Sequence, residues 1–158
     1  MSKQDKIANF DLNEPALGEQ LFGLPFDKDE CEVHVLPAPW EVTVSYGAGT
    51  AEGPAAISAA SSQVDLYDER YPNGWQRGIW MHEIDATWAT KNESLRAQAS
   101  AYISAYQGAE LSEETREQLA SINSACGSFH QWVHQSSREI LAQDKRLILL
   151  GGDHSTSL

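Results

Sequence analysis

Asp153 and His154 are two adjacent residues whose types and position could do metal chemistry. They follow a continuous apolar run at residues 147–150 and the pair Gly151-Gly152. Such a run is typical of a strand buried on both faces of a parallel sheet, and two glycines allow a sharp turn and close backbone contact. Histidine is the commonest metal ligand, and a neighbouring carboxylate could orient it or share a cation. The other interpretation is a polar loop whose histidine only hydrogen-bonds to backbone, and the pattern alone leaves both open.

The other histidines are weaker candidates for a functional site. His130 and His134 are four residues apart and share a helix face, which is the geometry of a two-histidine zinc site. The zinc-hydrolase pattern needs Glu directly after the first histidine, but that residue is Gln131. A pair at the solvent edge of the helix is therefore favoured. His34 lies in a predicted strand, where a lone histidine usually packs against or hydrogen-bonds to a neighbour.

His82, Glu83 and Asp85 resemble a metal cluster by composition. In an extended segment, however, alternate side chains point to opposite faces, so we do not expect these three to converge on one ion.

The glycine-rich stretch at residues 47–53 could suggest a nucleotide site. Its spacing is GxGxxxG instead of GxGxxG, and it follows the preceding strand by ten residues instead of opening a tight strand-to-helix turn. A dinucleotide site is not favoured, although an unrelated nucleotide-binding α/β domain stays an alternative.

Three strands and three helices are predicted to position these residues. The strands are at 32–36, 78–81 and 147–150, and the helices are at 55–62, 93–106 and 112–142. Ser112 is the expected cap of the last helix, and Pro54 fits the first turn of the first. Residues 41–46 could form a short hairpin arm or a loop.

The element order predicts a three-layer α/β/α fold with a mainly parallel sheet. Residues 1–30 are polar and are predicted to be an amino-terminal extension over the surface or a neighbouring subunit, and residues 31–158 belong to the α/β domain.

Composition narrows the classes of partner. The chain has 158 residues, 41% of them hydrophobic, and a formal net charge of −12, which suits one globular domain. The acidic excess repels phosphate backbones and anionic lipid, so we expect neither a nucleic-acid nor a membrane partner. The polar start lacks a signal peptide, and the distant Cys31 and Cys126 indicate free thiols in a reducing cytoplasm.

Two motifs carry a family resemblance. Residues 151–155, Gly-Gly-Asp-His-Ser, resemble the first metal motif of the ureohydrolase family, which includes arginase and agmatinase. Residues 49–57, Gly-Thr-Ala-Glu-Gly-Pro-Ala-Ala-Ile, resemble the family segment Gly-Thr-x-x-Gly-Pro-x-x-Ile, and both occur in the expected order. Residues 39–46, Pro-Trp-Glu-Val-Thr-Val-Ser-Tyr, are most similar to agmatinase-like members.

This resemblance implies an arginase-like three-layer fold, incomplete in this chain, with His154 as a ligand of one of two manganese ions. Asp153 would be a partner that orients the site, and nickel is a possible metal. The implied reaction is attack of a metal-bridging hydroxide on the guanidinium carbon of a small cationic substrate, such as agmatine or guanidine, with release of urea. Family likeness also implies a cytoplasmic homo-oligomer, either a trimer or a hexamer.

The family's remaining ligand motifs, Asp-x-His-x-Asp and a later Asp-x-Asp, are expected beyond Leu158. The chain therefore resembles the amino-terminal portion of a longer enzyme and is expected, by itself, to be inactive and either poorly soluble or obligately associated. Residues 40–46 are expected to border the substrate pocket. The alternative is a truncated, non-catalytic family member that acts as a binding or assembly partner.

Overall fold

A computed structural model describes residues 1–12, 14, 20–44, 46–106 and 112–157. The described part contains three strands: β1 (Val33–Ala38), β2 (Ile79–Met81) and β3 (Arg146–Gly151). It also contains four α-helices: α1 (Lys3–Asn9), α2 (Gly53–Ser61), α3 (Ala86–Ala105) and α4 (Glu113–Leu141). Within these residues no helix is long and apolar enough to cross a membrane.

The sheet is entirely parallel and has the strand order β2-β1-β3. Val33 pairs with Ile79 of β2 and with Arg146 of β3, so β1 lies in the centre. Helices connect the strands and pack against them, as parallel crossovers require. The predicted α/β fold with a parallel sheet is therefore confirmed.

β1 extends two residues beyond its predicted end and includes Pro37. On the β2 side, the N–H of Val33 donates a hydrogen bond and the carbonyl oxygen of Val35 accepts one. On the β3 side, the carbonyl oxygen of Ala38 accepts one. Because this alternation directs the nitrogen of Pro37 to the β2 side, where β2 has already ended, the missing N–H leaves no ladder bond unmade.

β3 is less buried than its apolar sequence predicted. Ile148 is 48% exposed, and the other residues of the apolar run are only partly buried. β1 is the strand that pairs with β3 among the described residues, so one edge of β3 has no partner there. The prediction that residues 147–150 are covered on both faces was wrong for this chain.

Helix boundaries follow local capping chemistry. Ser112 caps α4 by accepting a hydrogen bond from the backbone N–H of Thr115, as predicted. α3 begins seven residues before its predicted start, at Ala86. Asp85 is the cap there, because its carboxylate accepts hydrogen bonds from the N–H groups of Thr87 and Trp88.

The main core lies between the end of β1, α3 and α4. Trp40 is stacked on Phe129 of α4, with ring centroids 4.3 Å apart, and Trp88 of α3 meets both rings edge-on. Residues 41–44 turn instead of forming a strand, so the loop interpretation holds for the described part of 41–46. This aromatic cluster fixes the chain directly after β1.

A second core includes part of the first 30 residues. Leu24 and Phe26 are buried with Cys31 and Trp75, and Phe10 lies against this group. Lys6 of α1 forms ion pairs with Asp27 and Glu30. The segment before β1 therefore packs onto the domain.

Candidate functional site

The candidate motif extends the pairing of β3 with β1 past the end of the strand. The N–H of Gly152 donates to the carbonyl oxygen of Ala38 at 3.0 Å, and the N–H of Asp153 donates to that of Trp40 at 2.9 Å. The chain then turns into a short 3₁₀ helix, His154–Ser157. His154 consequently lies at the carboxyl end of the parallel sheet, where open α/β sheets bind ligands.

Gly152 is required by the close approach of two backbones. A Cβ atom on Gly152 would lie 1.9 Å from the carbonyl oxygen of Trp40, and one on Gly151 would lie 2.3 Å from Oγ1 of Thr156. The carbonyl oxygen of Trp40 belongs to the backbone, so it cannot rotate away from a new side chain. A side chain at position 152 would therefore separate the two segments that place His154.

Asp153 stabilises the turn. Its Oδ1 accepts hydrogen bonds from the backbone N–H of Ser155 at 2.9 Å and from the Ser155 hydroxyl at 2.6 Å. The Thr156 hydroxyl donates to the carbonyl oxygen of Asp153 at 3.0 Å. The carboxylate thus acts on Ser155, and the imidazole of His154 is exposed and makes no hydrogen bond within the described residues.

The loop after β1 is organised by Glu41, which the sequence placed only within the stretch 40–46 expected to border the substrate pocket. Its buried carboxylate accepts hydrogen bonds from the Gly49 N–H, the Thr50 hydroxyl and the Ala51 N–H. Burial raises the pKa of Glu41, but the hydrogen bonds from Thr50, Gly49 and Ala51 outweigh it, and the pKa lies below its usual value. Glu41 therefore holds the loop as an ionised carboxylate.

His82, Glu83 and Asp85 do not converge, as expected. Asp85 caps α3, and Glu83 is exposed. Nε2 of His82 lies 3.1 Å from Nδ1 of the buried His34. This pairing agrees with the prediction that His34 contacts a neighbour.

The tautomers of the histidine pair follow from a second contact. Nε2 of His34 lies 3.2 Å from the carbonyl oxygen of Lys28. Because that oxygen only accepts, Nε2 of His34 carries its proton, and Nδ1 accepts a hydrogen bond from His82. Burial lowers the pKa of both imidazoles, and the hydrogen bond from His82 requires His34 to be neutral.

His130 and His134 differ in environment. His134 is exposed, in agreement with a solvent-edge position. His130 is partly buried, and its Nε2 atom is buried without a hydrogen-bond partner in the described part of the chain. The two therefore do not form an exposed pair.

At the carboxyl end of the sheet, one side chain of the described residues is suited to bind a divalent metal ion. The imidazole of His154 is exposed and has no hydrogen-bond partner in the part of the chain that the structure describes, which fits a metal ligand. No group of three or more His, Cys, Asp or Glu side chains within the described ranges could hold an ion. One imidazole does not make a site by itself, because manganese prefers several carboxylate or imidazole ligands.

The family model for the arginase family matches residues 31–158. The chain belongs to the arginase family. This family consists of metal-dependent hydrolases of guanidino compounds, and its members generally use manganese. No curated protein and no solved structure matches the chain.

Family membership and geometry agree on the fold. The parallel sheet with packed helices is the arginase-like α/β architecture, of which this chain contains a part. The sequence pattern did not show the role of the Glu41 side chain, because its partners lie eight to ten residues away, in the separate segment 49–57.

Proposed function

We propose that this arginase-family chain carries the first metal-ligand motif of an agmatinase-like ureohydrolase. His154 would be a ligand of one manganese ion, with nickel as the alternative metal, and Asp153 would support it. The observation that carries the proposal is the exposed imidazole of His154, which lies at the carboxyl end of β3 and has no hydrogen-bond partner among the described residues. The similarity of residues 39–46 to agmatinase-like members supports the assignment to that branch of the family.

The chain's own residues would prepare the ligand. Gly152 brings the turn against Trp40, and the bonds from Ser155 to Asp153 hold the turn that carries His154. When bound, the metal pair would activate water for attack on a guanidinium carbon, which three electron-donating nitrogens make a poor electrophile. Asp153 acts on the backbone of the turn, so its contribution is to position His154 and not to coordinate.

The substrate, cellular location and oligomeric state that we propose follow from the net charge and from membership of the family. A net charge of −12 suits a small cationic guanidino substrate and disfavours nucleic acid or membrane surfaces. We propose a cytoplasmic protein that forms a trimer or hexamer through family-like contacts.

Manganese-induced line broadening tests the role of His154. On addition of substoichiometric Mn²⁺, we expect the imidazole signals of His154 to broaden before those of His134, which is exposed on α4. His154→Asn should remove this weak manganese contact, whereas the matched variant His134→Asn should retain it. Equal broadening of both rings, or unchanged broadening of the residues next to position 154 in His154→Asn, would contradict the ligand role.

A second candidate function is a non-catalytic family member that assists binding or assembly. The observation in its favour is that the described residues offer one imidazole and no cluster of three metal-binding side chains. Sequencing the gene beyond the codon for Leu158 distinguishes the two. An in-frame Asp-x-His-x-Asp motif supports the hydrolase, and an immediate stop codon supports the assembly partner.

A further inference from the structure

A cavity of about 480 Å³, lined by both apolar and polar residues, lies between the segment after β1, the loop at Thr50–Glu52 and α3. Small-molecule sites usually have volumes of about 300–1,000 Å³, so the cavity is large enough for a molecule of amino-acid size. Its polar lining includes Glu41, Glu52, Asn92, Glu93, Arg96 and Ser100. The proposed metal motif contributes none of the residues that line it.

Buried hydrogen bonds connect the three walls. The backbone N–H of Glu41 donates to Oδ1 of Asn92 on α3 at 2.7 Å. Its carboxylate accepts from the N–H groups of Gly49 and Ala51 at 2.7 and 3.2 Å. Asn92 and Glu41 are 6% and 7% exposed, so solvent competes little for these bonds. The cavity is therefore formed in advance of any ligand.

Arg96 contributes a cation with one buried nitrogen, Nη1, that lacks a hydrogen-bond partner among the described residues. Among those residues its guanidinium also forms no ion pair, even though Glu41 and Glu93 line the same cavity. A buried donor without a partner is unfavourable by about 1–3 kcal/mol, and more when it is charged. Such a group indicates a missing acceptor.

We propose that this cavity binds a small zwitterion, with a carboxylate held by Arg96 and a cationic group held by the surrounding glutamates. A guanidinium is a planar fork that pairs with both oxygens of a carboxylate. Glu52 and Glu93 are exposed beside the cavity and repel a simple anion, but they attract a ligand that also carries a positive charge. The ligand class is that of free amino acids and similar compounds.

Three matched probes without a guanidino group test the charge pattern. L-norleucine carries both charges, hexanoate lacks the ammonium group, and n-pentylamine lacks the carboxylate. We expect calorimetric titration of the whole chain to show binding of L-norleucine at least about tenfold tighter than either of the others.

Variants of Arg96 locate the binding. Arg96→Gln should weaken L-norleucine binding by about tenfold or more, and Arg96→Lys should give an intermediate affinity because an ammonium lacks the fork. Arg116→Gln is the matched control, because Arg116 is an exposed arginine on α4 that lies outside the cavity. The double variant Glu52→Gln with Glu93→Gln should bring the affinity for hexanoate up towards that for L-norleucine.

Two results would overturn the proposal. One is absence of L-norleucine binding to the wild-type chain at millimolar concentration, and the other is equal affinity in the wild type and in Arg96→Gln. A thermal unfolding measurement gives an independent check. Without ligand, Arg96→Met should melt at the same temperature or higher, because it removes an unpaired buried donor. A clearly lower melting temperature would mean that Arg96 is already satisfied, by water for example, and that no ligand is needed.

Discussion

Replacement of Gly152 by alanine tests the backbone contact that positions the candidate metal motif. The new Cβ would lie 1.9 Å from the carbonyl oxygen of Trp40 and 2.9 Å from its nitrogen. Real Cβ contacts essentially never fall below 3.0 Å, so the two segments must move apart by about 1 Å. That movement breaks the bonds from Gly152 to Ala38 and from Asp153 to Trp40.

The expected loss of stability follows from these contacts. Two backbone hydrogen bonds contribute about 0.5–1.5 kcal/mol each, and forced overpacking adds about 1–3 kcal/mol. Gly152→Ala should therefore lower the free energy of unfolding by roughly 2–6 kcal/mol. At about 2–4 °C per kcal/mol for a domain of this size, the melting temperature should fall by roughly 4–24 °C.

Gly127→Ala is the matched control. Gly127 lies inside α4, and its added Cβ would meet nothing within 4 Å. Alanine is a better helix former, so this variant should gain about 0.5–1 kcal/mol. Gly151→Ala should be milder than Gly152→Ala, because its nearest neighbour is the Thr156 side chain, which can rotate.

Circular dichroism melts of the three variants at one protein concentration provide the assay. If Gly152→Ala melts within about 2 °C of the wild type while Gly127→Ala behaves as expected, the close backbone approach is refuted. The positioning of His154 by β1 would then lose its basis.

Three further outcomes are expected. Glu41→Gln should lower the free energy of unfolding by about 1–3 kcal/mol in denaturant titrations, because it weakens the bonds that close the loop; an unchanged midpoint would contradict the role of Glu41. In the folded chain, His34 and His82 have pKa values below the ordinary histidine value of 6.5. The stability that this pair contributes is therefore complete above pH 6.5 and is lost as the pH falls through the folded pKa values. Melting temperatures from pH 7.5 down to 5 should thus decline less steeply in His82→Gln than in the exposed control His134→Gln, and equal slopes would exclude the pair. Burial raises the pKa of Cys31 to about 11, so its thiol should react with a disulfide reagent at pH 8 only after unfolding, and fast labelling of the folded chain would show otherwise.

The sequence predicted those elements whose ends depend on residues close to them along the chain. Ser112 and the apolar stripe of α4 predicted that helix to within one residue at each end, because a cap and a 3.6-residue period act over a few positions. The same holds for Pro54 in the first turn of α2. The Gly-Gly-Asp-His motif likewise indicated a strand end, and it lies there.

Tertiary structure decided whatever depends on distant residues. The apolar run at 147–150 predicted a fully covered strand, but coverage depends on neighbouring elements, and Ile148 is 48% exposed. Capping by Asp85 was missed because the helix was predicted to begin seven residues later, at residue 93.

The sequence by itself determined the family, the α/β class and a histidine at the end of a strand. Only the folded chain brought Arg96 of α3 to the cavity beside Glu41, and only it joined His34 to His82 across 48 positions. Periodicity and short motifs report on neighbours along the chain. A cavity, a buried pair and an unpaired charge are properties of residues that meet in space, because burial and hydrogen bonding are set by what packs around them.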